Sequence, residues 1–191
     1  MTDTIMKQGS RILIPTEFIA IRAALQHRSV NSEHVRIVDG LLATGMRTTE
    51  FWRFCEHPEW YKPSRKCIDL PRGSMLKVKA KQVERTILLS NWGVGVVENI
   101  IKNKPSIKSR QSMREILIRA AIRANLNPQF INPKMFRKTW ISWLVASKKD
   151  INMVSISSGH SIDTLYKHYL VIGFPESELV QINYYTSGWS T

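Results

Sequence analysis

Four side chains of this sequence, Arg47, Arg137, His160 and Tyr169, are of the types that together can attack a phosphodiester without a metal. Such an attack makes four demands. A phenol must lose its proton and be aimed at phosphorus, and the charge on the non-bridging oxygens must be neutralised. A general acid must protonate the leaving 5′-oxygen, and the site must hold the phosphotyrosine until a hydroxyl attacks it. Arginine suits the charge, because its planar fork grips two phosphate oxygens and keeps its proton. Lys134 and Arg137 are three residues apart at the start of a helical pattern, so the partial positive charge of a helix N-terminus adds to theirs. The four residues are spread over the chain and can act together only if the fold gathers them.

Charge points to the same class of partner. The 191 residues carry 28 Lys+Arg against 15 Asp+Glu, a formal net charge of +13, which draws polyanions and above all nucleic acid. An anionic membrane surface is the competing partner, but the chain has neither a lipidation motif nor a basic amphipathic terminus. The length suits one domain with a real core, and 43% hydrophobic residues with six tryptophans fit a folded globule. Two cysteines without paired spacing, Cys55 and Cys67, argue against a disulfide framework and a zinc knuckle, so no metal or cofactor is expected. The first residues lack the apolar run of a signal peptide, and no stretch is long enough to span a bilayer. The expected location is cytoplasmic or nucleoid-associated, in the host cell if the source is viral.

The elements that must position these residues can be read from periodicity and caps. Residues 1–15 form an N-terminal arm, and Thr16 opens a helix with Phe18, Ile21 and Leu25 on one stripe. Asn31 or Ser32 caps a second helix bearing Val35, Val38, Leu41 and Leu42, with Gly45 as its left-handed cap. Thr48 caps the next helix, so Arg47 lies in a turn between helices. CIDL, MLKVKAK and RTILLS then read as three short antiparallel strands, the last two joined by a turn near Gln82-Val83. Helical pattern resumes at Val94–Ile101 and after Pro105, where Ile116, Ile118, Ala120, Ala121 and Ile122 recur. Asn132-Pro133 starts a helix that buries Phe136, Trp140 and Leu144. Asp150 caps a short helix ending at Gly159, Ser161 caps the helix of Tyr166 and Tyr169, and FPESELVQINYY makes a terminal helix. The expected fold class is α+β, mainly α, with a small three-stranded antiparallel sheet.

Taken in order, these residues resemble the catalytic domain of the tyrosine recombinases, the phage-integrase family. The first family box, Thr-Gly-x-Arg followed by an acid, is matched by Thr44-Gly45-Met46-Arg47 and Glu50. The second, His-x-x-Arg, stands here as Lys134-Met135-Phe136-Arg137, and the third is Gly159-His160 with Tyr169 nine residues on. Lys79 and Lys81 are candidates for the hairpin lysine, and Lys81 is preferred because it lies nearer the turn. Lysine in place of the second-box histidine is the form found in some archaeal and viral integrases, and an unperturbed lysine is a poor base at neutral pH. The resemblance runs from about Thr16 to the C-terminus, with residues 16–172 as the catalytic domain and 173–191 as a candidate protomer-docking tail. It implies site-specific recombination or integration of double-stranded DNA through a 3′-phosphotyrosyl intermediate and a free 5′-hydroxyl. It further implies a homo-tetramer on DNA, with a monomer allowed in its absence, and it implies no metal. The implied catalytic set is Arg47, Lys81, Lys134, Arg137, His160 and Tyr169. The family's N-terminal clamping domain has no counterpart among these residues.

Singly, each of these residues has an ordinary alternative. Arg47 and Arg137 are also what a solvated turn or helix face would carry, and a histidine after a glycine cap often satisfies a carbonyl. Tyr169 would serve as a core-edge aromatic with a wet hydroxyl. Tyr166 lies one helical turn away and is the competing nucleophile, while Tyr184 and Tyr185 belong to the terminal helix. Two other functions compete. One is a non-catalytic DNA-binding regulator that keeps the fold. The other is a basic RNA- or membrane-surface protein, which predicts no clustering of Arg47, Arg137, His160 and Tyr169.

Overall fold

A computed structural model describes residues 4–7, 9–26, 32–72, 84–169 and 172–189. Chain order is β1 (Ile5–Lys7), β2 (Ser10–Ile12), α1 (Pro15–Gln26), α2 (Ser32–Thr44), α3 (Thr48–Glu56), β3 (Tyr61–Lys62), β4 (Cys67–Leu70) and β5 (Arg85–Leu88). Six helices follow: α4 (Asn91–Lys102), α5 (Arg110–Arg123), α6 (Lys134–Ala146), α7 (Ile151–Ser158), α8 (Ile162–Tyr169) and α9 (Glu176–Thr186). The fold is mainly helical with a small antiparallel sheet, as the sequence predicts.

One apolar core runs through the helices, and Phe18 sits near its middle. Its ring meets Trp92, Phe136, Trp143 and Tyr185 edge-on at 5.6–6.5 Å, tying α1 to α4, α6 and α9. The helix-repeat residues Ile21, Leu25, Val38, Leu41, Trp140 and Leu144 are all buried in it. On α5 the buried stripe is Met113, Leu117, Ala120 and Ala121, whereas Ile122 is exposed; the run of apolar residues there obscures the true face.

Among the described residues the sheet has three strands, in the order β3-β4-β5; β4 and β5 are two of the expected strands, and Tyr61–Lys62 is one that was not expected. Ile68 of the central strand pairs with Tyr61 on one side and Ile87 on the other. Tyr61–Lys62 is a two-residue strand wedged between 3-10 turns, too short to give an alternating pattern. The expected strand at MLKVKAK, the turn at Gln82-Val83, and both Lys79 and Lys81 fall outside the described residues, as do Asn31 and the Ser32 side chain.

The segment expected as an arm pairs as the hairpin β1-β2, and its second strand enters the body. Leu13 N–H donates to Thr139 Oγ1 at 2.9 Å, and Trp143 Nε1 donates to the Leu13 carbonyl at 3.0 Å. Arg11 is fully buried, paired with Glu17 and bonded to the Asn127 carbonyl. Helix α1 then starts at Pro15, one residue before Thr16, with proline in the position where its missing N–H costs nothing. Asp150 caps α7 through the amides of Asn152 and Met153 at 2.8 and 3.0 Å, and Gly159 closes it in the left-handed region, as read from the sequence.

Candidate active site

The turn between α2 and α3 brings the first arginine into place. Gly45 takes φ +59, and a side chain there would overlap the ring of Trp140. Arg47, rather than Thr48, is the N-cap residue of α3, in extended conformation. Its backbone N–H donates to Glu50 Oε2 at 2.7 Å, the return half of a capping box. Its guanidinium donates to Glu50 Oε1 at 2.7 Å yet stays 46% exposed, the one arginine of the cluster that solvent reaches freely.

Glu50 is completely buried and acts as the hub. Besides Arg47 it accepts a two-pronged pair from Arg85, Nη1 to Oε1 at 2.9 Å and Nη2 to Oε2 at 2.7 Å. Arg137 Nη1 lies 3.9 Å from Oε2. Burial alone would raise the carboxyl pKa. The Arg85 hydrogen bonds, the charges of Arg85 and Arg137, and the Arg47 amide outweigh burial and lower it to about 2. The carboxylate therefore stays ionised, and three guanidinium groups gather around one negative charge.

Arg137 joins this turn to the third box. On α6 it is nearly buried, donating to the Gly45 carbonyl at 2.7 Å and to the Ser158 carbonyl at the end of α7. Burial and the neighbouring charges of Arg85 and Arg47 lower its pKa to about 9 against the support of Glu50, so it remains cationic at neutral pH. Lys134 begins the same helix. It is exposed, and its N–H donates to Asn132 Oδ1 at 3.0 Å; Pro133 takes the N-cap position, one residue later than the Asn-Pro pair predicts.

His160 follows the left-handed Gly159. Its carbonyl accepts from Ser155 Oγ at 2.7 Å, and its N–H donates to Ser158 Oγ at 3.3 Å, which fixes the backbone. Its ring Nδ1 is buried without a hydrogen-bond partner among the described residues. Burial, then the charges of Arg137, Arg47, Arg85 and His168, lower its pKa to about 4, so the imidazole is neutral at pH 7. Its ring meets that of Tyr169 edge-on at 6.2 Å. Tyr169 is only 6% exposed, and burial raises its phenol pKa against the pull of Arg137. Tyr166, one turn earlier, is 53% exposed.

The fold thus brings Arg47, Arg137, His160 and Tyr169 to one place, and leaves Lys134 exposed at the rim of its helix. Lys81 lies outside the described residues. Arg85 is the member that sequence reasoning missed. Its signal was indirect: a buried acid at the third helical position, flanked by one exposed arginine, needs a second cation, and β5 opens with one. Among the described residues no group of three or more metal-ligating side chains occurs, and no helix is long and apolar enough to cross a membrane.

No protein-family model and no curated protein matches the sequence. Solved structures do match. The XerA recombinase superposes with a TM-score of 0.62 at 15% identity, covering 91% of this chain and 64% of its own. A variant of the Tn1549 transposon integrase in complex with a circular intermediate DNA reaches 0.67 at 18% identity, covering 95% and 67%. The XerH site-specific recombinase bound to its difH substrate reaches 0.63 at 16%, covering 94% and 55%. This chain therefore has the fold of tyrosine recombinases and spans roughly two thirds or less of the length of each of these proteins.

Proposed function

We propose that this chain cuts and rejoins DNA as a site-specific recombinase or integrase, with Tyr169 as the nucleophile. The observation that carries the reading is the convergence on one buried carboxylate of Arg47, from the turn before α3, and Arg137, from α6, beside a histidine packed on that tyrosine. The arginines hold the non-bridging oxygens of one phosphodiester, Arg47 from its exposed position and Arg137 from below. The Tyr169 oxygen bonds to phosphorus as the bond from phosphorus to the 5′-oxygen breaks. His160, uncharged at pH 7, accepts the phenolic proton. The leaving 5′-oxygen takes a proton from a lysine, Lys81 by preference, and Lys134 contacts phosphate. A 5′-hydroxyl attacking the phosphotyrosine reverses these steps and reseals the strand.

Double-stranded DNA is the partner, and the working assembly is a homo-tetramer on two duplexes. The solved recombinases with DNA in their complexes, the +13 charge and the four exposed arginines of α5 (Arg110, Arg114, Arg119 and Arg123) support DNA as the ligand.

A nicked suicide duplex, which traps the covalent intermediate, tests the chemistry. The wild-type chain is expected to form a protein–DNA adduct, Tyr169→Phe to form none while binding the duplex, and Tyr166→Phe to behave as wild type. An adduct that disappears with Tyr166→Phe and survives Tyr169→Phe reassigns the nucleophile. Binding by all three with adduct from none makes the chain a non-catalytic DNA-binding regulator.

A further inference from the structure

We propose that Arg85 is a positioning residue of the cutting site, acting through Glu50 on Arg47 and through Ser157 on the Gly159–His160 turn. The inference rests on the recombinase reading above. The Arg85 side chain is turned inward and only 5% exposed. Three of its donors are spent inward. Two grip the Glu50 carboxylate at 2.9 and 2.7 Å, and Nε donates to the Ser157 carbonyl at 3.1 Å. Its Cδ abuts Gly159, 3.3 Å from where a β-carbon would stand, so the glycine that precedes His160 rests on the arginine stem. A second bond, Leu88 N–H to Ser157 Oγ at 3.2 Å, fastens the same strand to the same helix.

The consequence for Arg47 follows from the carboxylate's geometry. Both Glu50 oxygens are shared, each accepting once from Arg47 and once from Arg85. Arg85 fixes the plane of the carboxylate from inside, and the carboxylate in turn fixes the guanidinium that reaches outward. Without Arg85 the buried charge would keep only Arg47 and the more distant Arg137. Arg47 would then be drawn inward, away from a phosphate, and the α7 terminus would lose its support. Lysine has one compact ammonium in place of a fork and cannot grip both oxygens in plane while reaching Ser157.

The test compares wild type, Arg85→Met and Arg85→Lys on the suicide duplex. It measures the rate of adduct formation at saturating DNA and, separately, the dissociation constant. Displacing a phosphate-gripping group by about an ångström costs on the order of 100-fold in rate, so Arg85→Met is expected to slow cutting by about that factor while affinity stays within about threefold. Arg85→Lys should fall between the two. In a Glu50→Gln background, Arg85→Met should slow the step by only about tenfold or less, because the route through Glu50 is gone and only that through Ser157 remains. Should Arg85→Met fail to fold, Arg85→Lys at unchanged melting temperature decides: slower cutting supports the role, and wild-type cutting ends it. Equal slowing in both backgrounds, or cutting by Arg85→Met within about threefold of wild type, overturns the proposal alone. A wild-type chain that forms no adduct removes the recombinase reading, and this inference with it.

Discussion

His160 lies against Arg137, Arg47 and Arg85, and burial with those charges holds its imidazole at about 4, below the ordinary 6.5. The unfolded chain therefore binds this proton near pH 6.5 and the folded chain near pH 4. Between those values acidification favours unfolding, so the loss of stability starts as pH drops below 6.5 and is complete near 4. A shift of that size corresponds to about 3.4 kcal/mol, which solvent screening of the half-buried ring reduces to about 2–3 kcal/mol. Glu50 adds to the loss only below about 4.5, as pH falls toward its folded value of about 2. Asp39, raised to about 6 by burial against its pairing with Arg22, works in the opposite direction over the same range. Comparison with His160→Asn isolates the histidine. Urea midpoints at pH 7 and pH 4.5 should show the variant losing about 2 kcal/mol less than wild type on acidification, and equal losses would mean the ring is not held neutral. At this scale the sequence was legible in that residue type and spacing singled out Arg47, Arg137, His160 and Tyr169, which the fold does gather. Arg85 was not, because its role depends on which strand end faces a buried carboxylate.

Between residue and molecule, the turn at Gly45 joins α2 to α3 and lends its carbonyl to Arg137. A side chain at Gly45 meets two penalties, the left-handed φ of +59 and overlap with the Trp140 ring. Gly45→Ala is expected to lose about 2–4 kcal/mol, and slower adduct formation should accompany it because the strained turn displaces the carbonyl that anchors Arg137. Gly95 in the exposed middle of α4 serves as the control: it has open space around its Cα, and Gly95→Ala should gain about 0.5–1 kcal/mol. A loss below about 1 kcal/mol at Gly45 in chemical denaturation would show that the turn yields easily. Elements with strong local signals were readable, such as the Asp150 and Ser161 caps and the Asn132-Pro133 start. The third strand was not, because Tyr61–Lys62 is specified by its pairing with Cys67 and Ile68 and not by any pattern of its own. The N-terminal hairpin was likewise hidden, since Leu13 and Arg11 find their partners on α6, α1 and the Asn127 loop, more than a hundred residues away in two of the three cases.

For the whole molecule, the tail read as a candidate docking segment packs on the body of its own chain. Helix α9 lies on α4, α6 and α1, Ser147 Oγ meets Thr186 Oγ1 at 2.9 Å, and the Asn91 N–H bonds the Ser187 carbonyl at 2.9 Å. Beyond it Trp189 is 1% exposed, donates its indole N–H to the Leu88 carbonyl at 2.8 Å, and stands edge-on to Trp140 at 6.4 Å. Trp140 is the residue under Gly45, and Leu88 ends the strand that Arg85 begins. One indole thus braces both the turn of Arg47 and the strand of Arg85, and truncating it must leave a cavity between them. Trp189→Ala should cost about 3–5 kcal/mol, read from urea unfolding followed by circular dichroism, since tryptophan fluorescence would change with the deletion itself. A tail folded on its own body predicts midpoints independent of protein concentration for both wild type and variant. A tail that docks on a neighbouring copy predicts wild-type midpoints that rise with concentration and a variant that loses that rise. A cost below about 1 kcal/mol at every concentration would show that the indole braces neither element.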